Sequence, residues 1–271
     1  MMVIWHNGQF KDIRDKVLSP ESPGLQFGTG CFTTMFCTSE GCEFLSAHLE
    51  RLKKSLALFR MDFKNEDYQS LAETLLKKNG WKEARMKILC VENEENGTDT
   101  FLMPSPAGKE PEPVHLILSG EKRGDLFIYK HKLTNYAYNA YYMREAARSG
   151  RDTLFMDYRS HLLETATANL FLIRGNEILT PHHSLPLLDG IIKEELLKAQ
   201  SAGPYRIREE FLTAEDLMEV EGAFLTNSVK KIIPVSSLEG RSFDSVRFSA
   251  LERSLRDILN ERAKTSFKRS L

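Results

Sequence analysis

The chain has 271 residues, with 37 Lys and Arg against 38 Asp and Glu, a formal net charge of −1 and 41% hydrophobic residues. Charges so nearly cancelled exclude capture of nucleic acid or an anionic membrane by a global field, and the length provides for two medium domains, each with its own core. No apolar run approaches the roughly 20 residues needed to cross a bilayer, nothing at the N-terminus resembles a signal peptide, and Cys31, Cys37, Cys42 and Cys90 show neither CxxC spacing nor a zinc-type cluster. Reduced cysteines in a cytoplasm, no bound metal, and a small-molecule partner are therefore expected.

In chain order, residues 3–5 read as a short strand stopped by Asn7-Gly8, and residues 31–37, rich in β-branched and aromatic side chains, as a second, followed by a hairpin at Glu40-Gly41. Leu49, Leu52, Leu56 and Phe59 recur at steps of three and four and predict a helix over 47–59 with one apolar face and one basic face. A second helix is expected over 66–78, stopping near Gly80, and then a half-buried strand through Met86, Ile88 and Cys90. Residues 92–112, rich in charge, Pro and Gly, read as a long mobile loop, and residues 115–119 as a strand. The polar stretch GEKRGD (120–125) is taken as the linker between a first domain, 1–119, and a second, 126–271. The second half predicts a helix over 135–149 ended by Gly150, three strands separated by turns at 158–160 and Gly175-Asn176, a helix after Gly190, a short helix over 214–219, a strand over 223–226 and an amphipathic C-terminal helix. The class is thus α+β in two lobes, with no internal repeat.

Five segments carry the chemistry: QFGTGCFTT (26–34), LSAHLERL (45–52), HKLTNY (131–136), LLETATANLF (162–171) and, after LLDGI (187–191), FLTNSVKKIIPV (224–235). In this order they resemble the fold-type IV pyridoxal-phosphate enzymes, which include branched-chain and D-amino-acid aminotransferases and 4-amino-4-deoxychorismate lyases. The resemblance implies that family's two-domain fold, a smaller N-terminal α/β lobe beside a larger C-terminal lobe, pyridoxal 5′-phosphate as cofactor, a small amino-bearing substrate, and a homodimer.

HKLTNY resembles the family's lysine motif, which makes Lys132 the Schiff-base lysine; an amine that must attack an aldehyde and then move protons has to be neutral part of the time, which lysine allows and arginine does not. Tyr136 resembles a tyrosine near the cofactor's phenolic oxygen. Glu164, expected in a strand, resembles the carboxylate that pairs with the pyridine nitrogen and keeps the ring an electron sink, and Asn169 and Phe171 match the same pattern. Arg51, three residues after His48, resembles the HxxRL arginine that contacts the phosphate, where a guanidinium offers paired hydrogen bonds. Ile191 and Ile192 open a helix whose start suits a phosphate, through backbone alone because Ile192 stands where many relatives have threonine; Asn227 and Ser228 add a second such edge.

QFGTGCFTT and TNSV followed by IIPV look more like the aminodeoxychorismate lyases. Phe32-Thr33 stands where aminotransferases usually carry a glutamate or tyrosine-glutamate, Thr29 replaces a usual acidic residue, and TRG is missing after Cys90. The expected reaction is conversion of 4-amino-4-deoxychorismate to 4-aminobenzoate and pyruvate, as in folate biosynthesis. The alternative within the fold is a branched-chain or D-amino-acid aminotransferase, and from another class a non-catalytic binding module, against which Lys132 and Glu164 both argue.

Overall fold

The computed structural model describes residues 1–15 and 17–269, which divide into two compact units. Unit 1 holds the chain up to Lys109, the segment His131–Tyr136 and the residues from Ala263 onward; unit 2 holds the remainder, Glu110–Lys130 and Ala137–Arg262.

Unit 1 contains β1 (Val3–His6), β2 (Gln9–Asp12), the single turn α1 (Pro23–Gln26), β3 (Gly30–Thr38), β4 (Gly41–Cys42), α2 (Leu45–Leu58), α3 (Tyr68–Asn79), β5 (Glu83–Glu92) and β6 (Thr98–Ser105). They make a six-stranded sheet in the order β2-β1-β6-β5-β3-β4, antiparallel at every pairing, so this lobe is α+β rather than the expected α/β. Alternation sets its faces: Cys31, Thr33, Met35 and Cys37 of β3 are buried while Phe32, Thr34 and Phe36 are half-buried. Apolar side chains of α2 (Leu45, Leu52, Leu56) and α3 (Ala72, Leu75, Leu76) are buried with them. The buried face of α2 includes His48 and Ser55, whereas Leu49 and Phe59, expected inside, are half-buried. Polar partners described below explain why His48 is inside.

Three expectations for the first half are corrected. The loop over 92–112 is interrupted by β6, which pairs with β5 from Glu92↔Thr98 to Arg85↔Ser105. Its signal was masked by Thr98-Asp99-Thr100 at its start and Pro104 near its end; Asp99 is satisfied by the Asn7 amide at 2.7 Å, and Pro104 lies beyond the stretch where β1 pairs with β6. Cys37 and Cys42, expected as thiols, are joined as a disulfide across the β3–β4 hairpin, with Cα atoms 4.0 Å apart, because the turn sets them directly opposite one another; Cys31 and Cys90 are free. The third correction concerns the linker. GEKRGD is largely strand, since β7 (Val114–Arg123) continues through it, and the units part at 109/110 instead. A register shift between Leu118 and Lys122 breaks the alternation that sequence reading follows and then lets pairing resume.

Unit 2 continues with α4 (Ala137–Ser149), β8 (Arg151–Asp157), β9 (Asn169–Arg174), β10 (Glu177–Pro181), α5 (Ile191–Ala199), β11 (Ser201–Ala202), β12 (Tyr205–Glu210), β13 (Gly222–Asn227), β14 (Lys231–Leu238), β15 (Arg241–Ser242) and α6 (Ser245–Arg269), whose last residues belong to unit 1. The expected helix over 214–219 is a 3-10 turn at Glu215–Met218. The mixed sheet runs β11-β12-β10-β9-β13-β14-β7-β8, with β15 on β14. Leu154, Leu170, Leu172, Leu179 and Leu225 form the middle of its core. Among the described residues no helix is long and apolar enough to cross a membrane.

Both ends of α3 are closed by local chemistry. Asp67 accepts the Ser70 amide at 3.0 Å as N-cap, and Gly80, at φ +69°, takes the left-handed turn that ends the helix without a Cβ penalty. Asp67→Ala should therefore destabilise unit 1 by about 1 kcal/mol, measured as a lower urea midpoint with an unchanged slope.

Candidate active site

Lys132 is placed by its backbone. Leu133 bridges to Cys31 in antiparallel fashion, the Lys132 carbonyl accepts the Phe32 amide at 2.9 Å, the Thr134 amide donates to the Gly30 carbonyl at 2.9 Å, and Thr134 Oγ1 donates to the Gly28 carbonyl at 2.6 Å. The HKLTNY segment thus adds to β3 where β4 does not reach. The Lys132 ammonium lies 4.9 Å from the Phe32 ring centroid and 5.6 Å from that of Tyr136, and the two rings meet edge to face at 5.4 Å. A second amine shares Phe32: Lys87 Nζ, from β5, is 5.0 Å from the same centroid. Burial, with help from Arg85, holds the Lys87 amine below its ordinary range.

Arg51 and His48, one turn apart on α2, meet at Thr33. Arg51 Nη2 donates to Thr33 Oγ1 at 3.1 Å, and Thr33 Oγ1 lies 2.6 Å from His48 Nδ1. Because a guanidinium only donates, the hydroxyl proton of Thr33 is left for the imidazole, which suits a neutral ring. Burial, and then the charges of Arg51 and Lys132, push His48 well below its ordinary titration. Lys132, Tyr136 and Arg51 are thus gathered in unit 1 with Phe32, Thr33 and His48.

The other expected residues are gathered in unit 2. Glu164 is in no regular strand; it forms an isolated bridge with Asn169 after β8, because the chain turns back through 165–168 to begin β9. Its Oε1 accepts from Arg123 Nη1 at 2.9 Å and from the Leu188 amide at 3.3 Å, and its Oε2 from Asn169 Nδ2 at 3.2 Å. Asn169 Nδ2 also donates to the Leu188 carbonyl at 2.7 Å. Gly190 packs against the same amide, since a Cβ there would stand 2.0 Å from Asn169 Oδ1. Gly190 in turn is the extended N-cap of α5, with no side-chain cap, and Ile191 and Ile192, both buried, are its first helical residues. In the β9–β13 register Asn169 faces Thr226, the residue before Asn227. Asn227 Oδ1 accepts the Val229 and Lys230 amides at 3.1 and 2.9 Å, so that oxygen closes the turn into β14, beside a half-buried Ser228.

A family model described as amino-transferase class IV matches residues 30–238, a span that contains every one of these groups. The chain belongs to the class IV aminotransferase family. It is 26% identical over 261 residues to an aminodeoxychorismate lyase of Bacillus subtilis, covering 90% of this chain and 89% of that one. It is 24% identical over 273 residues to a putative branched-chain-amino-acid aminotransferase of Methanocaldococcus jannaschii, covering 94% of each. Its fold matches that of a hypothetical aminotransferase from Mycobacterium tuberculosis in its PLP-bound form, with a TM-score of 0.84 at 19% identity over 95% of this chain and 98% of that one.

Within this class IV fold, sequence reading missed four side chains. Arg123, 2% exposed and stacked on Phe155 at 4.0 Å and Tyr129 at 4.8 Å, was assigned to a polar linker, and one arginine in GEKRGD carries no signal of burial. Thr33 and His48 lay inside quoted motifs, but a contact between a strand and a helix has no spacing in sequence. Lys87 occupies an outward position between buried Met86 and Ile88, where alternation predicts solvent.

The unfolded chain takes up a proton on His48 that the native chain refuses. A folded value below the ordinary 6.5 therefore means that stability is full above that value and declines as pH falls from it toward the depressed one. His48→Gln should flatten this acid limb; denaturant unfolding at about pH 7 and about pH 5 should show a smaller difference for the variant than for the parent.

Proposed function

We propose that the chain is a pyridoxal 5′-phosphate-dependent lyase that converts 4-amino-4-deoxychorismate to 4-aminobenzoate and pyruvate. The observation that carries this reading is the aromatic face that Phe32 presents beside Lys132, where a transaminase needs a fixed polar partner for the carboxylate of two successive substrates.

The residues suit the cofactor. Lys132 offers an amine against two aromatic rings for its aldehyde, Glu164 a carboxylate held from three sides for its ring nitrogen, and Tyr136 a phenol. Arg51, and the α5 start that has no side-chain cap and no Cβ at Gly190, offer donors to a phosphate. When bound, the cofactor's ring supplies a sink for the electrons released at the amine-bearing carbon. Glu164 would hold a proton on the ring nitrogen, and Arg123 and Asn169 fix that carboxylate. Lys132 would hold the cofactor through its amine and would serve as the base that takes the proton from the amine-bearing ring carbon of the substrate. The same ammonium then delivers a proton as the enolpyruvyl C–O bond breaks; pyruvate leaves and the ring becomes aromatic, which makes the step downhill. Lys87, a partly desolvated cation on the Phe32 side, is the donor for a substrate carboxylate.

Incubation with aminodeoxychorismate should release pyruvate faster than the protein transaminates any common L- or D-amino acid, and Lys87→Met should raise KM more than it lowers kcat. Steady transamination with no pyruvate would overturn the lyase reading and leave the family intact.

Borohydride reduction followed by peptide mapping should place the pyridoxyl label on Lys132, and Lys132→Ala should abolish both label and turnover while the protein stays folded. Arg51→Ala should weaken cofactor binding by about 1.5–3 kcal/mol, the scale of a charged hydrogen bond, checked by titration of the apoprotein.

A further inference from the structure

Away from these residues, unit 2 carries a cluster that the proposed chemistry does not use. His182 and His183 follow β10 directly, and Glu209 lies on β12, paired in parallel with β10 so that Thr180 faces Glu209. The pairing extends one residue further, since the His182 amide donates to the Glu210 carbonyl at 3.0 Å. One ligand-type atom from each of His182, His183 and Glu209 lies within 4.8 Å of the others.

Neighbouring residues in extended chain point their side chains apart. Here a turn closed by the Leu185 amide on the His182 carbonyl at 3.1 Å brings the two imidazoles together, with centroids 4.2 Å apart. The His182 ring is fixed by stacking on Phe211 at 4.6 Å and by Ser184, whose amide donates to Nδ1 at 3.2 Å and whose Oγ lies 2.9 Å from it. His183 Nδ1 is 2.7 Å from Glu209 Oε2, so a ring nitrogen and a carboxylate oxygen already converge on one point. The other carboxylate oxygen is 2.9 Å from the ammonium of Lys193, a side chain 1% exposed that also reaches Asp189 at 3.2 Å. Asp189, Lys193 and Glu209 together sum to one negative charge, and the Lys130 ammonium, which donates to the His183 and Ser184 carbonyls at 3.4 and 3.2 Å, brings one positive charge beside them. Two imidazoles and one carboxylate on a strand-anchored turn suit a borderline ion with nitrogen ligands, whereas magnesium and calcium seek six or more oxygens.

We infer that His182, His183 and Glu209 form a binding site for a divalent transition ion of the zinc type, with water completing its coordination. The ion would tie down the start of the segment whose far end, Leu188, bonds both Glu164 and Asn169.

The test is calorimetric titration of the full chain, purified without a histidine tag and stripped with chelator, using zinc chloride. One zinc per chain, unaffected by excess magnesium, is expected. His182→Ala and His183→Ala should each weaken binding at least tenfold, while His115→Ala, elsewhere in the unit, leaves it unchanged. Zinc binding no tighter than magnesium, or equal binding by the parent and both histidine variants, would overturn the site. If a variant fails to fold, the parent alone decides: bound cobalt(II) should give the intense visible bands of a four-coordinate site, displaced by zinc, and a pale six-coordinate spectrum counts against it.

Discussion

The open edge of β3 is the constraint from which the arrangement in unit 1 follows. Antiparallel β5 covers one side of the strand along its whole length, but β4 covers the other only at Cys37 and Thr38, which leaves the Gly30–Phe32 end with unpaired peptide groups. Exposed edges invite wrong partners, and this one is closed by residues 131–134, returned from far along the chain. Because closure runs through backbone, the register that pairs Cys31 with Leu133 also fixes Lys132 beside Phe32, and a slip of one residue would turn the lysine to the other face. The same strand sends Thr33 inward to meet His48 and Arg51. One strand therefore orients an amine on one face and a guanidinium through the other.

In unit 2 the governing object is a buried ion pair. Arg123 and Glu164 are 2% and 8% exposed, and taking two charges from water costs several kcal/mol that their attraction only partly returns. The aromatic faces of Phe155, Tyr129 and Tyr138 around the guanidinium offset part of that cost. Such a pair contributes little to stability, but it fixes geometry: with Asn169 and Leu188 it leaves the carboxylate a single orientation. In the role proposed for Glu164, a carboxylate that holds one proton in one place needs that more than it needs net stabilisation.

How much of this was legible in the sequence depends on whether the signal was local. The helices, most strands, and the segments carrying Lys132, Arg51 and Glu164 were readable because periodicity and motif spacing lie within short windows. Strand β6 was missed because its polar start and Pro104 are acceptable only through partners, Asn7 for Asp99 and the short reach of β1 for the proline. β7 was cut short because its register shift stops the alternation just before Arg123. The disulfide and the Thr33–His48 contact are pairings across space, for which a single sequence carries no spacing rule.

Phe32 connects the two amines of unit 1 and limits what that face can do. Lys132 and Lys87 approach the same ring at 4.9 and 5.0 Å, and each gains on the order of 0.5–2 kcal/mol from the ring's quadrupole while opposing the other's charge. Burial already lowers the Lys87 amine, and Arg85 on its own strand lowers it further. An arriving carboxylate would favour the charged form of Lys87 and bond to it, while Phe32 itself offers only apolar surface. On the proposed lyase reading, the same ring that denies a hydrogen bond to a small α-carboxylate would face the carbocycle of an amine-bearing ring acid, with the anion reaching past it to Lys87.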